Sequence, residues 1–189
     1  MTTARTVFEP GNGTLEIFDL DPSETVLFEL LKDVFENYWE DIVFGILIQG
    51  AAWEIKASNK PESVNLYDGY LTIDFGRWHF HICIGENEGS KSHPTDPQLK
   101  VHRRTSRAEL YRQLNEKGTA NSWGLRLYNG KDEQQLTVFL PNPFLTREMG
   151  IAKEPDWSRL ALWDQLRAKW LELSQPDPFD RSGHKFQHG

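Results

Sequence analysis

The stretch YLTIDFGRWHFHIC, residues 70–83, alternates apolar and polar residues on both sides of the pair Gly76-Arg77. Alternation with a period of two is typical of a strand with one buried face, and glycine at the first central position suits a type II′ turn. The stretch therefore predicts a β-hairpin whose register is defined by its two-residue turn. The predicted pairs are Phe75 with Trp78, Asp74 with His79, Ile73 with Phe80, Thr72 with His81, Leu71 with Ile82 and Tyr70 with Cys83.

Successive side chains of a strand point to opposite sides of the sheet, so this register divides the hairpin into two faces. Neighbours across the pair lie about 5 Å apart at Cβ, so residues on one face can act together. The apolar face is predicted to join the core and carries Leu71, Ile73, Phe75, Trp78, Phe80 and Ile82. The opposite face, called the polar hairpin face below, is the candidate functional site and carries Tyr70, Thr72, Asp74, His79, His81 and Cys83.

One interpretation of the polar hairpin face is a metal site. His79 and His81 lie two positions apart on one strand and can converge on a single ion, with Cys83 as a further ligand. Imidazole and thiolate ligands suit zinc, nickel, iron or copper. Asp74, opposite His79, can orient the second ring nitrogen of that histidine, as carboxylates do around bound metals.

Three other interpretations stay open for the same face. In a catalytic one, Cys83 is a nucleophile and His81 its base, but two positions along a strand separate Cβ atoms by about 7 Å, whereas such a pair needs contact at about 3 Å. In a binding one, Tyr70, Thr72 and Asp74 join the histidines as a hydrogen-bonding floor for a small polar or anionic molecule. In a purely structural one, these are ordinary residues of a half-exposed strand, and Cys83 is a small buried apolar residue.

Capping and turn signals predict the other elements. Asp21-Pro22-Ser23-Glu24 begins a helix that ends near residues 39–41. Ser106-Arg107-Ala108-Glu109 begins a second helix that stops at Gly118, and a third begins near Asp156. Further strands are expected at 43–48, 52–56, 123–128 and 135–140.

Hairpins interleaved with helices imply the α+β class, with a mainly antiparallel sheet of about five or six strands and about three helices packed on one face. The other face of the sheet is then open for binding. A single α+β domain is expected over residues 1–174, and a loosely ordered C-terminal tail over residues 175–189.

Two more features bear on binding. The strands expected at 123–128 and 135–140 form a second hairpin. If it lies beside the first, Arg126 projects onto the His79/His81 face, where it can clamp a carboxylate through two hydrogen bonds. The basic cluster Lys100, His102, Arg103, Arg104 and Arg107 lies where the predicted second helix begins, a position that favours anions. The cluster is either an anion site or a solvated face paired with nearby acids. His93, in the preceding loop, can fold over the hairpin as another metal ligand.

Composition narrows the functional classes. A net charge of −7 over 189 residues argues against non-specific nucleic-acid binding. The single cysteine suits a reducing compartment, and the longest apolar run is too short to span a bilayer, so a cytoplasmic protein is expected. The predicted function is binding of a metal ion or a small polar or anionic ligand on the open sheet face, with catalysis left open. The alternative is an accessory or assembly protein that acts by contact with a protein partner.

Overall fold

The structure is a computed structural model that describes residues 4–48, 50–179 and 181. This part of the chain contains thirteen strands and three helices, which follow the second, tenth and thirteenth strands. The strands are β1 (Arg5–Glu9), β2 (Gly13–Leu20), β3 (Val43–Gly45), β4 (Leu47–Ile48), β5 (Ala51–Ala52), β6 (Ser63–Tyr67), β7 (Tyr70–Asp74), β8 (His79–Cys83), β9 (Gly89–Ser90), β10 (His93–Pro94), β11 (Thr105–Leu114), β12 (Ala120–Asn129) and β13 (Gln134–Phe139). The helices are α1 (Glu24–Asn37), α2 (Pro97–Lys100) and α3 (Ala161–Leu171), and a 3₁₀ turn at Trp157–Leu160 precedes α3.

The largest sheet is antiparallel and has six strands in the order β1-β2-β11-β12-β13-β3. The predicted α+β class and strand number are therefore confirmed. The hairpin of β7 and β8 does not belong to this sheet, because it forms a separate three-stranded sheet in the order β6-β7-β8. Two small ribbons, β4-β5 and β9-β10, complete the described strands.

The chain divides into two compact units, and the hairpin belongs to the unit formed by Asp21–Ala108 and Arg126–Val138. The apolar face of α1 is buried in this unit, as its three- and four-residue spacing of apolar side chains dictates. An aromatic cluster packs beside it: the ring of Phe44 lies 4.8 Å from that of Phe35 and 5.4 Å from that of Phe80. The apolar side of the hairpin thus joins the core, where Leu71 and Ile73 are fully buried.

The other unit is formed by Met1–Leu20, Glu109–Leu125 and Phe139–Gly189. Its core includes the ring pair Phe18 and Trp163, at 5.8 Å in edge-to-face contact. Asp177 is buried here, and its carboxylate accepts a hydrogen bond from Trp163 Nε1 at 2.7 Å. Part of the segment expected as a loose tail is therefore packed, whereas residues 180 and 182–189 of that tail lie outside the described residues.

The second predicted helix is wrong, because Thr105–Leu114 is the strand β11. Ser106-Arg107-Ala108-Glu109 matches a capping box in sequence, but β11 lies between β2 and β12 in the large sheet and its backbone is used in pairing. Tertiary pairing has overridden a local helix signal. Gly118 lies in the loop before β12 with a φ of 75°, a left-handed conformation that glycine adopts without strain.

The expected buried strand at 43–48 is only partly correct. Val43, Phe44 and Gly45 are buried, but the chain beyond them forms the β4-β5 ribbon, in which Ile48 pairs with Ala51. One side of this ribbon exposes large apolar side chains, and this surface is called the apolar ribbon below. Its members are Ile46, Ile48, Trp53 and Ile55.

Candidate functional site on the three-stranded sheet

The register of the hairpin is as the sequence predicts, from Asp74 opposite His79 to Tyr70 opposite Cys83. Phe75 N donates to Trp78 O at 2.9 Å across the turn, and Gly76 adopts a φ of 83°. That positive φ is the reason for glycine at the first turn position.

A third strand, which the sequence analysis missed, widens the site. β6 pairs with β7 so that Ser63 lies opposite Asp74, Asn65 opposite Thr72 and Tyr67 opposite Tyr70. The signal was present, since Asp68-Gly69 between alternating residues favours a two-residue hairpin turn. Both turn residues have positive φ, 48° and 79°.

The polar hairpin face therefore extends over three strands. Its rows across the sheet are Ser63–Asp74–His79, Asn65–Thr72–His81 and Tyr67–Tyr70–Cys83. Most of these side chains reach solvent, and Tyr67 is 85% exposed.

Among the described residues, the structure brings His79 and His81 together. Both are exposed, and their rings lie 4.9 Å apart between centroids with 66° between the planes. Thr72 Oγ1 lies 2.7 Å from His81 Nδ1 and fixes that ring from the neighbouring strand. Because this contact uses Nδ1, it does not occupy the Nε2 atom of His81.

The carboxylate of Asp74 has a structural contact. Its Oδ1 accepts a hydrogen bond from Gly76 N at 2.8 Å, which closes the turn. This bond uses one oxygen of the group that was expected to orient His79. Tyr70 and Thr72 are half-buried on the same strand.

Cys83 lies at the buried end of its strand. It is 5% exposed, and its Sγ donates to Gly85 O at 3.5 Å. Burial raises the pKa of the thiol from 9.0 to about 11, only partly offset by the nearby Arg103. Such a thiol is protonated at neutral pH, which suits neither a ready nucleophile nor a ready thiolate ligand.

No group of three or more His, Cys, Asp or Glu side chains within the described residues is arranged to hold a metal ion. The two imidazoles, the Cys83 thiol and His93 therefore do not form a ready ligand set. His93 lies in β10, where Nδ1 contacts Ser92 Oγ at 3.1 Å.

The expected position of Arg126 is wrong. β12 lies in the six-stranded sheet and β8 in the three-stranded one, so the two hairpins are not neighbours in one sheet. Arg126 is buried, with its guanidinium 5.3 Å from the ring centroid of Tyr128. It is not part of the polar hairpin face.

The basic cluster is largely paired with acids. The ion pairs are Lys100–Glu88, His102–Glu133, Arg104–Glu86 and Arg107–Asp132. Hydrogen bonds from Asn129 and His102 lower the pKa of the Glu133 carboxyl. The helix expected to begin here is absent, because β11 occupies its place, so the helix-dipole argument for an anion site does not apply.

In the part of the chain that the structure describes, no helix combines the length and apolar character needed to cross a membrane.

Comparisons with known proteins identify a shared fold and a family. No curated protein matches the sequence. Solved structures that match include one entitled "Crystal structure of ChuX", with a TM-score of 0.51 and 12% identity over 84% of this chain and 78% of that chain. At that identity the likeness shows a shared fold alone.

A family model matches residues 4–172, which include the whole three-stranded sheet and both long strands of the second hairpin. The match covers well over half of the 189 residues. The chain therefore belongs to the family of unknown function DUF7676.

Proposed function

We propose that the protein binds a divalent transition metal ion through His79 and His81, on the exposed face of the three-stranded sheet. The observation that carries the proposal is the approach of the two exposed rings to 4.9 Å between centroids. Imidazole is the commonest protein ligand for such ions, and two rings on one side of a strand can turn their nitrogens towards one point.

The contact between Thr72 and His81 supports the same conclusion. Histidines that bind a metal usually donate the N–H of their other ring nitrogen to a neighbouring acceptor, which fixes the tautomer. Thr72 Oγ1, 2.7 Å from His81 Nδ1, can accept that N–H. The lone pair of Nε2 is then available to an ion.

Two protein ligands leave the coordination sphere incomplete. Catalytic zinc sites commonly have three protein ligands and one open position, whereas the described residues supply no group of three. The remaining positions would be filled by water or by a small anionic ligand. Exposed Asn65 and Tyr67 lie across the sheet from the histidines and would contact such a ligand.

The test is metal titration of tag-free protein by calorimetry, with copper, nickel and zinc as separate probes. One ion per chain is expected, with copper bound most tightly, as the general order of divalent affinities requires. Binding should weaken on acidification, because only a neutral imidazole can ligate. The variant His79→Ala/His81→Ala should lose the site.

His93→Ala is the matched control, since it removes another exposed histidine of the same unit and should leave affinity unchanged. Thr72→Val should weaken binding without abolishing it, because the ligands remain but one ring loses its support. Equal affinity of wild type and the double histidine variant would refute the proposal.

A second candidate function, contact between two copies of the chain, is favoured by the apolar ribbon. Trp53 is 54% exposed and Ile48 51% exposed on the same side of a two-stranded ribbon. Large exposed apolar surfaces mark interaction sites, and a two-fold axis lets one such surface bury itself against its own copy. Sedimentation velocity should then show a dimer that Trp53→Ser converts to monomer, and a wild-type monomer at every concentration would exclude it.

A further inference from the structure

A cavity of about 530 Å³ lies in the unit that carries the hairpin, and no residue of the polar hairpin face lines it. Its volume is within the range of about 300–1,000 Å³ that small-molecule sites occupy. The wall has an apolar part, contributed by Pro22, Pro97 and Val101, and a charged part, contributed by Lys100, Arg104 and Glu86. An apolar wall with a few converging charges is the usual composition of a ligand pocket.

Within the described residues, the two cations of the wall form ion pairs with exposed acids. Lys100 Nζ lies 2.7 Å from Glu88 Oε2, and Arg104 Nη1 lies 3.1 Å from Glu86 Oε1. The side chains of Glu88 and Glu86 are 65% and 68% exposed. Ion pairs this exposed contribute little free energy. An incoming anion can therefore displace the two glutamate carboxylates from Lys100 and Arg104.

The neutral polar groups of the wall are, in contrast, already used. Asn87 Nδ2 donates to Asp68 Oδ2 at 2.7 Å, and its Oδ1 accepts from Thr95 Oγ1 at 2.6 Å. Thr105 Oγ1 donates to Gln135 Oε1 at 2.8 Å. These bonds hold the wall in place and leave recognition of a ligand to the charged side chains.

We propose that this cavity binds a small anion in which a carboxylate or phosphate group is joined to an apolar body. Arg104 and Lys100 bind the anionic group, and the guanidinium of Arg104 can offer two parallel N–H donors to it. Pro22, Pro97 and Val101 contact the apolar body. Glu86 competes with the ligand for Arg104. This site goes beyond the metal site proposed above and shares no residue with it.

The experiment uses phenyl phosphate and inorganic phosphate as probes, with calorimetry for affinity and amide chemical shifts for location. Phenyl phosphate should bind more tightly than inorganic phosphate, because only the former has a ring to place against the apolar wall. Arg104→Gln should weaken it about tenfold or more, the loss expected for a hydrogen bond to a charged group. Shifts should concentrate at residues 86–87 and 100–106.

Glu86→Gln gives the most discriminating result. Removal of the competing carboxylate should increase the affinity for phenyl phosphate several-fold. A purely structural role for the Arg104–Glu86 pair would give no such gain. Lys91→Gln, an exposed lysine that does not line the cavity, is the control and should bind as wild type does.

Three outcomes would overturn the proposal: no saturable binding of phenyl phosphate at millimolar concentration, equal affinity in Arg104→Gln, or shifts centred on residues 79–81. The variant His79→Ala/His81→Ala should bind phenyl phosphate normally. Failure of the anion site therefore leaves the metal titration unaffected, and failure of the metal site leaves this result unaffected.

Discussion

Asp177→Asn should be among the most destabilising single substitutions that keep side-chain volume. The side chain of Asp177 is 2% exposed, and its carboxylate pairs with Arg112 Nη1 at 2.5 Å and with Arg167 Nη1 at 3.2 Å. Trp163 Nε1 donates to it as well. Arg167 is itself buried, and burial lowers the pKa of its guanidinium, against the opposing effect of Asp177. The substitution would leave two arginines close together without their shared counter-charge.

Removal of one partner from a buried ion pair costs about 3–5 kcal/mol. For a chain of this size each kcal/mol lowers the melting temperature by about 2–4 °C, so a decrease of roughly 6–20 °C is expected. Thermal unfolding followed by circular dichroism measures it, with urea unfolding as a check on the free energy. The control is Glu116→Gln, which removes the same charge from an exposed position of the same unit.

A melting temperature for Asp177→Asn within about 2 °C of the control would refute this reasoning, because so small a difference corresponds to about 1 kcal/mol or less. It would mean that residues 175–179 add little to the stability of this unit.

Two further predictions concern the unit that carries the hairpin. With a pKa of about 11 against the ordinary 9.0, Cys83 should react with a disulfide reagent at pH 8 about 100-fold more slowly in native protein than in urea. The native rate should rise about tenfold per pH unit until the pH nears that pKa, and equal native and unfolded rates at pH 8 would contradict the assignment. Gly69→Ala should lower the free energy of unfolding more than Gly118→Ala does. Both glycines have a similar positive φ, 79° and 75°. An added Cβ at Gly69 would lie 2.6 Å from Glu86 O, whereas at Gly118 it would meet nothing within 4 Å. The left-handed conformation alone costs about 1–2 kcal/mol, so equal losses in urea unfolding would show that the close contact at Gly69 relaxes freely.

The hairpin could be predicted from sequence because its information is local. A two-residue turn defines the register, and the register defines which side chains share a face. The same reasoning, applied to Asp68-Gly69, would have predicted β6 and added Asn65 and Tyr67 to the site.

Strand order could not be predicted, because it depends on contacts between residues far apart in the chain. The position of Arg126 followed from an assumed order in which both hairpins were neighbours, and the order is different. β11 shows a related limit, since Ser106-Arg107-Ala108-Glu109 carries a helix signal that pairing with distant strands overrides. The position of Cys83 also depends on such contacts, since the distant Gln135 donates through Nε2 to its carbonyl oxygen at 3.0 Å.

The alternation in β6, β7 and β8 has a consequence for how this protein can diverge. Val64, Ile73 and Ile82 are buried in the core, whereas Asn65, His79 and His81 on the polar hairpin face are exposed. Core positions tolerate few changes of volume, but exposed positions such as these can change with little effect on packing. Relatives could therefore exchange histidine, threonine and asparagine on this face for other polar groups and keep the same sheet. One scaffold would then serve several ligands, and its chemistry would change faster than its fold.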